Sequence, residues 1–537
     1  MKRWLLILAL VAVVAVPFLL RPRQTALARA DHTVVIITPH NEALRHEFER
    51  GFQDWYRRKT SQTVAIDWRV IGGTSEIARY LESEYVASFQ NYWTNKLGRP
   101  WSTDVQAAVA NGRLPQDASP ATREARAAFL ASNVSCGIDV FFGGGSYDFI
   151  RQADAGRLVD SGLLQLHPDW FGDQVIPQSY TGEIYWDKQG LWLGCVLSSY
   201  GMVYNLDALA RLGFTDPPHE WTDLQDPRYQ GELALSDPTK SSSMAKAFEN
   251  IIQQQIHEEW ARLARATGRP RAELENEAIR RGWDNGLRVL QRLGANARYF
   301  TDTSQKPPID VMQGNSAVGI CIDFYGREQE QSVEERSGRK RLGYFSPPDG
   351  TVLSPDPIAL LRGAADRAAA VAFIEYVLSM EGQKLWNLKP GTPGGPSRYA
   401  LRRLPIRRDF YEEKEFLPYR SDPDVNPYAG KSPLIYNPAW TGGVFREMAF
   451  VIRVMCLDTH QELAAAWREI NRAGRPAAAL AVLDDLSAVS YDQVRDRIRP
   501  VLNSKNKVDE IRLARELGDQ FRRQYLHALA IARDTQR

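Results

Sequence analysis

Cysteine is almost missing from this chain: four occur in 537 residues. Cys136, Cys195, Cys321 and Cys456 lie far apart, so a C-x-x-C metal or redox site is excluded. An exported setting allows three full disulfide pairings, and four buried thiols fit the apolar neighbourhoods equally well. Histidine is scarce too, at eight. No H-E-x-x-H, G-x-S-x-G or Cys/His nucleophile pattern is found, which leaves an anchored hydrolase without support. An excess of one charge is also lacking. Lys plus Arg number 67 against 65 Asp plus Glu, a net of +2, which argues against a dedicated nucleic-acid binder.

The length calls for two or three domains. A hydrophobic content of 44% and a charged content of 25% are those of an ordinary globular protein. Fourteen tryptophans and 21 tyrosines are generous; such residues line wet clefts or fill cores. At the N-terminus Lys2-Arg3 precede the apolar run Trp4 to Leu20, closed by Arg21-Pro22-Arg23. This pattern is a signal peptide or a short membrane anchor. The A-x-A sites at 26–28 and 28–30 sit far behind the run, which favours the uncleaved anchor. Either way the body is expected outside the cytoplasm.

The chain is organised around Glu232 to Ile252. Leu233-Ala234-Leu235 is a short buried strand, broken at Ser236-Asp237-Pro238 because proline cannot donate to a ladder. Ser241, Ser242 and Ser243 offer N-cap hydroxyls. Met244, Ala247, Phe248, Ile251 and Ile252 then mark one apolar helical face. A helix N-terminus at a strand end, with small hydroxyls around it, suits an anion. It equally suits a plain structural cap.

Upstream, Thr33 to Thr38 and Thr63 to Val70 read as strands, each followed by a helical pattern. This βαβα order marks a parallel sheet, whose ligands sit beyond the carboxyl ends of the strands. His40, Asn41, Gly72, Gly73 and Thr74 fall there. Residues 87–133 look inserted. Ile138 to Phe142 is a strand ending in Gly143-Gly144-Gly145-Ser146, which permits close backbone approach but lacks the Gly-Lys-Ser/Thr of a Walker loop. Leu191 to Asn205, with Ser198-Ser199-Tyr200-Gly201 at its centre, suits a crossover between lobes. Residues 256–293 read as helical. Gly314 to Tyr325 reads as a strand ending in Asp323, Phe324 and Tyr325. Pro357 to Leu361 is a further strand, and 368–386 an amphipathic helix.

Four runs carry a resemblance. They are W-T-D-L-Q-D-P-R-Y-Q-G-E-L-A-L-S-D-P-T-K-S-S-S (Trp221 to Ser243), D-V-F-F-G-G-G from Asp139, G-M-V-Y-N from Gly201 and A-F-I-E-Y-V-L-S-M-E-G-Q from Ala372. Together they resemble the bacterial extracellular solute-binding proteins of ABC importers, in the ferric-iron-binding-like branch, over roughly Thr33 to Tyr399. The resemblance implies an α/β, two-lobed type 2 periplasmic-binding-protein-like fold with a hinge. It implies a first lobe over 31–198, a second over 199–340, a return to the first over 341–400, and a mainly helical C-terminal extension over 401–537. A solute in the cleft would meet His40, Asn41, Gly73, Thr74, Gly144, Gly145, Ser146, Ser199, Tyr200, Asp237, Ser241 to Ser243, Asp323 and Tyr325.

Ferric-binding relatives carry two adjacent tyrosines where this chain has Phe324-Tyr325. Iron held by His40, Asp323 and Tyr325 would lack one phenolate, so a phosphorylated or carboxylated solute is favoured slightly over ferric iron. No resident cofactor is expected. The implied partners are a small solute or metal, an ABC permease with its ATPase and, through residues 4–20, the membrane; a monomer is expected. A ligand-sensing co-receptor for a membrane kinase would use the same closure. The extension, with Leu513, Leu517, Phe521, Leu526 and Leu529 at helical spacing, reads by default as a charged, solvent-facing helix pair able to dock on a lobe.

Overall fold

The computed structural model describes residues 30–114, 116–429, 434–504 and 506–535. The apolar run at 4–20, read above as a signal peptide or anchor, lies outside them. Among the described residues no helix is long and apolar enough to cross a membrane.

The fold is two α/β lobes and a helical C-terminal extension. The first lobe is built on a seven-stranded sheet. Its strands are β1 (His32–Ile37), β2 (Val64–Arg69), β3 (Val140–Phe142), β4 (Leu193–Ser198), β10 (Ser354–Leu361) and β11 (Leu404–Pro405), with the short Leu158–Val159 on the side of β10. The second lobe has five strands: β5 (Tyr200–Asn205), β6 (Leu233–Ser236), β7 (Ala297–Thr301), β8 (Val318–Ile322) and β9 (Leu342–Phe345). The first sheet runs β11-β4-β10-β3-β1-β2 and the second β7-β6-β8-β5-β9. β1 is parallel to both β2 and β3, so the loops after all three open on one edge. The crossover is compact: Ser199 alone separates β4 from β5.

The helices that matter for function are α1 (Glu42–Thr60), α2 (Thr74–Asn91), α3 (Ser146–Asp154), α4 (Ser242–Thr267), α5 (Arg271–Asn296), α6 (Asp323–Ser337), α7 (Arg367–Leu378), α8 (Phe445–Ile452), α9 (His460–Arg472) and α10 (Lys507–Asp534). The start of α1 follows from Asn41, whose side chain accepts from Leu44 N–H, and its last turn carries Arg57, Arg58 and Lys59 against the negative end of the dipole. α1 and α7 cover one face of the first sheet. α2 and the inserted helices Thr103–Ala110 and Pro120–Ala131 cover the other. α4 and α5 pack so closely that a side-chain carbon on Gly286 would fall 2.7 Å from Ile252 Cα.

Several expectations change. β9 belongs to the second sheet and Leu404–Pro405 to the first, so the chain returns to the first lobe after Phe345, and that lobe reaches past residue 400. Asp323, Phe324 and Tyr325 do not extend β8. They form the first turn of α6, because the Asp323 carboxylate accepts the Phe324 N–H at 2.9 Å and favours the helix N-terminus. Of the two readings left open for the cysteines, the structure has four buried free thiols. The extension is not a solvent-facing helix pair. Leu513, Leu517, Phe521 and Tyr525 are buried in one apolar cluster with Trp283, Leu287 and Leu290 of α5 and with Val318 and Ile320 of β8. Periodicity marks an apolar face but not its partner, and Leu526, counted on that face, is 50% exposed.

Because the second lobe and the extension share a core, their folding is coupled. Phe521→Ala should cost about 3–5 kcal/mol, lost in one cooperative transition that includes the second lobe. Denaturant unfolding followed by far-UV and tryptophan signals checks this; separate melting of the extension would contradict it.

Candidate ligand-binding site

Three helix N-termini meet where the lobes touch. Gly73 precedes α2, Gly145 precedes α3 and Ser241 caps α4. A side-chain carbon on Gly73 would come 2.8 Å from Lys240 O, across the cleft, and one on Gly145 would come 3.6 Å from Ser242 Oγ. Gly144, at φ +116°, lies against the Thr74 side chain. Only a residue without Cβ allows this approach at a backbone angle that L side chains avoid. The first-turn N–H groups and the positive dipole ends favour an anion here, against the Asp148 carboxyl beside Ser242.

The serines divide the work. Ser241 is the N-cap, accepting from Met244 N at 3.3 Å. Ser242 Oγ is buried beside the Asp148 carboxyl of α3. Ser243 is half-buried. Asp237 shapes the turn, its Oδ1 accepting from Thr239 N and Oγ. Ser146 opens α3.

Next to this junction lies a cavity of about 350 Å³ lined by His40, Asn41, Leu44, Phe324, Tyr325, Glu328, Arg398, Arg402 and Arg403. His40 sits at its inner end. Its Nδ1 faces Thr38 Oγ at 3.0 Å and its Nε2 faces Arg403 Nη1 at 3.1 Å. Burial first, then the charges of Arg403 and Arg45, hold the imidazole well below its ordinary 6.5. It is therefore neutral at pH 7, with Nε2 accepting from Arg403 and the proton on Nδ1. Burial raises the Tyr325 hydroxyl above its ordinary value.

Arg403, 1% exposed, holds this end of the cleft together. It donates to Ser198 Oγ at 2.7 Å, pairs with Asp356, and lies 4.3 Å from the centroid of the Phe324 ring and 5.3 Å from that of Trp386. Arg402 donates to Arg327 O and Gln331 and pairs with Asp422. Neither arginine was expected at the site. They follow the stretch matched by the quoted motifs. The adjacent pair Arg402-Arg403 was the available signal.

Among the expected residues, His40, Asn41 and Tyr325 line the cavity. Gly73, Thr74, Gly144, Gly145 and Ser242 gather at the neighbouring junction. Ser199 and Tyr200 lie in the hinge: Ser199 O accepts from Asp323 N, and Tyr200 N donates to Thr351 Oγ. Asp323 is buried and tied to Arg327 Nη2 at 2.7 Å. It does not line the cavity. Among the described residues no group of three His, Cys, Asp or Glu is placed to hold a metal ion. Of His40, Asp323 and Tyr325, the imidazole has the Arg403 guanidinium beside it and the carboxylate is paired with Arg327.

Residues 138–410, just over half the chain, match the family model described as bacterial extracellular solute-binding protein. The chain belongs to that family. An uncharacterized protein of Haemophilus influenzae is 26% identical over 252 residues, 46% of this chain and 60% of its own length. The phosphoglycerate transport regulatory protein PgtC of Salmonella typhimurium is 25% identical over 189 residues, 35% of this chain and 39% of its own. The chain thus spans less than two thirds of either relative. Among solved structures, the periplasmic binding protein AfuA of Actinobacillus pleuropneumoniae with fructose-6-phosphate is 18% identical, covering 66% of this chain and 82% of that one at a TM-score of 0.43. Iron-bound HitA of Pseudomonas aeruginosa is 17% identical, covering 80% and 99% at 0.44.

Asp148 gives the junction a pH dependence. It is 6% exposed and faces Ser242 at the start of α4. Burial raises it from 3.8 to about 6, against smaller opposing effects of Ser242, Arg151 and Arg79. The folded state therefore holds this proton more tightly than the unfolded chain. The resulting stability is full below pH 3.8 and lost as pH rises through about 6. A rise of that size corresponds to roughly 3 kcal/mol. Asp148→Asn should stabilise the protein by up to that amount at pH 7 and leave it unchanged near pH 4. Denaturant melts at the two pH values check this; equal effects at both would contradict it.

Proposed function

We propose that the protein is the extracytoplasmic solute-binding component of an ABC import system, and that its solute is a small organic anion bearing a phosphate or carboxylate. The observation that carries this reading is the meeting of three helix N-termini between the lobes, next to the cavity. Backbone N–H groups at the starts of α2, α3 and α4, with the Ser242 hydroxyl, would receive the charged oxygens. His40, Asn41 and Tyr325 would face the rest of the solute. The family supports capture and delivery to a permease, and a location outside the cytoplasm.

Ferric iron is the weaker candidate. Phe324 offers no oxygen, Asp323 is tied to Arg327, and Arg403 places a cation beside His40. A sensory role is a second reading, favoured by the likeness to a protein named as a transport regulator.

The purified protein titrated with ferric citrate should stay colourless. Calorimetry against inorganic phosphate, fructose 6-phosphate and 3-phosphoglycerate should give saturable heat for at least one. A visible phenolate-to-iron band that disappears in Tyr325→Phe would overturn the organic-anion reading.

A further inference from the structure

The segment Leu434–Thr441 runs across the lobe junction and touches both sides of it. Leu434 N donates to Thr351 O at 3.1 Å, and Leu434 and Tyr436 cluster with Val352, so the segment lies on the second crossover of the hinge. Tyr436 N donates to Thr181 O at 2.9 Å, in the turn of a first-lobe hairpin formed by Ser179–Tyr180 and Glu183–Ile184. A side-chain carbon on Gly182, at φ +85°, would collide with Tyr436 O.

On the second-lobe side the partner is α4. Lys246, Glu249, Asn250, Gln253 and His257 form one stripe on this helix, spaced by three and four residues. The stripe is polar although nearly all of it is buried. Gln253 exchanges hydrogen bonds with Asn437, Oε1 accepting from N and Nε2 donating to O, and donates to Thr441. His257 Nε2 sits 2.7 Å from Ile435 O.

Lys246 is the joint. Its Nζ is 2.7 Å from Glu183 of the first-lobe hairpin and 2.9 Å from Glu249, and it stands 3.3 Å from the centroid of the Tyr436 ring. The Tyr436 hydroxyl donates to Glu249 at 3.0 Å. Burial works against the ammonium, yet Glu183 and Glu249 hold its pKa well above the ordinary value. On the flank, the Tyr147 ring of α3 lies 4.5 Å from the Phe445 ring of α8.

The two joints differ in kind. The extension meets the second lobe through a continuous apolar core, which does not separate without unfolding. The first-lobe hairpin is held differently: α4 reaches it through the buried Lys246–Glu183 ion pair and the extension through the Tyr436 N–H to Thr181 O, polar contacts whose groups can be rehydrated on parting. Thr181 Oγ and the Asn250 amide, both buried without a partner, already belong to this joint imperfectly satisfied. We propose that α4 and the extension segment packed along it form a clasp that holds the two lobes closed without solute, with the Lys246–Glu183 bridge, covered by Tyr436, as its catch. Closure is then set before binding, which spares the solute the cost of ordering the lobes and ties its exchange to release of the catch.

The test needs no solute. Spin labels at the exposed positions Ser83→Cys, on α2, and Glu334→Cys, on α6, report the distance between lobes; the four native cysteines are buried and escape labelling. Pulsed dipolar spectroscopy on the full-length, solute-free protein should give a single narrow distribution. Glu183→Gln removes the bridge but leaves Lys246 paired with Glu249. Gly182→Ala pushes the hairpin off Tyr436. Each should broaden the distribution and move its mean outward by more than about 2 Å. A broad distribution in the parent, or a parent-like one in either folded variant, would overturn the proposal.

Discussion

The cleft depends on a buried guanidinium. Arg403 is among the largest fully buried side chains among the described residues. An ion of that size costs several kcal/mol to desolvate unless it is paired and hydrogen-bonded. The pairing fixes what surrounds it. Asp356 comes from β10, Ser198 from the end of β4, His40 from the loop after β1, and the Phe324 ring from the start of α6 in the other lobe. Four separate pieces of chain, from both lobes, are therefore held around one charge. Burial, with the same charge beside it, holds the His40 imidazole well below its ordinary value, and the guanidinium occupies the place next to the ring.

What the sequence tells about this site follows the range of the interactions involved. Local signals were readable. The serine stretch predicts a helix start, and Ser241 is the N-cap. The break at Ser236-Asp237-Pro238 ends β6, and the small residues of 198–201 mark the crossover between β4 and β5. The strand-end positions of His40, Gly73, Thr74 and Gly144 bring them to one edge. Distant interactions were not readable. Asp323 looks like a ligand from its place in the strand, but Arg327 one turn later claims it. Arg403 looks like loop, because nothing near it in sequence announces Asp356, 47 residues earlier.

The extension shows the same limit. The spacing of Leu513, Leu517 and Phe521 marks an apolar face but not that it packs on α9, which in turn packs on α5 of the second lobe. Burial against the second lobe makes that face part of the lobe's own core. The buried polar stripe on α4 then becomes intelligible: one side of the helix serves the core and the other meets the 434–441 segment and the first-lobe hairpin.

The most direct measurement is native mass spectrometry of the full-length protein as purified, before and after incubation with phosphorylated and carboxylated small molecules. The account predicts a one-to-one adduct that, on denaturation, releases an organic molecule bearing phosphate or carboxylate. An adduct of iron, or a bare mass that persists against every such molecule, would contradict it.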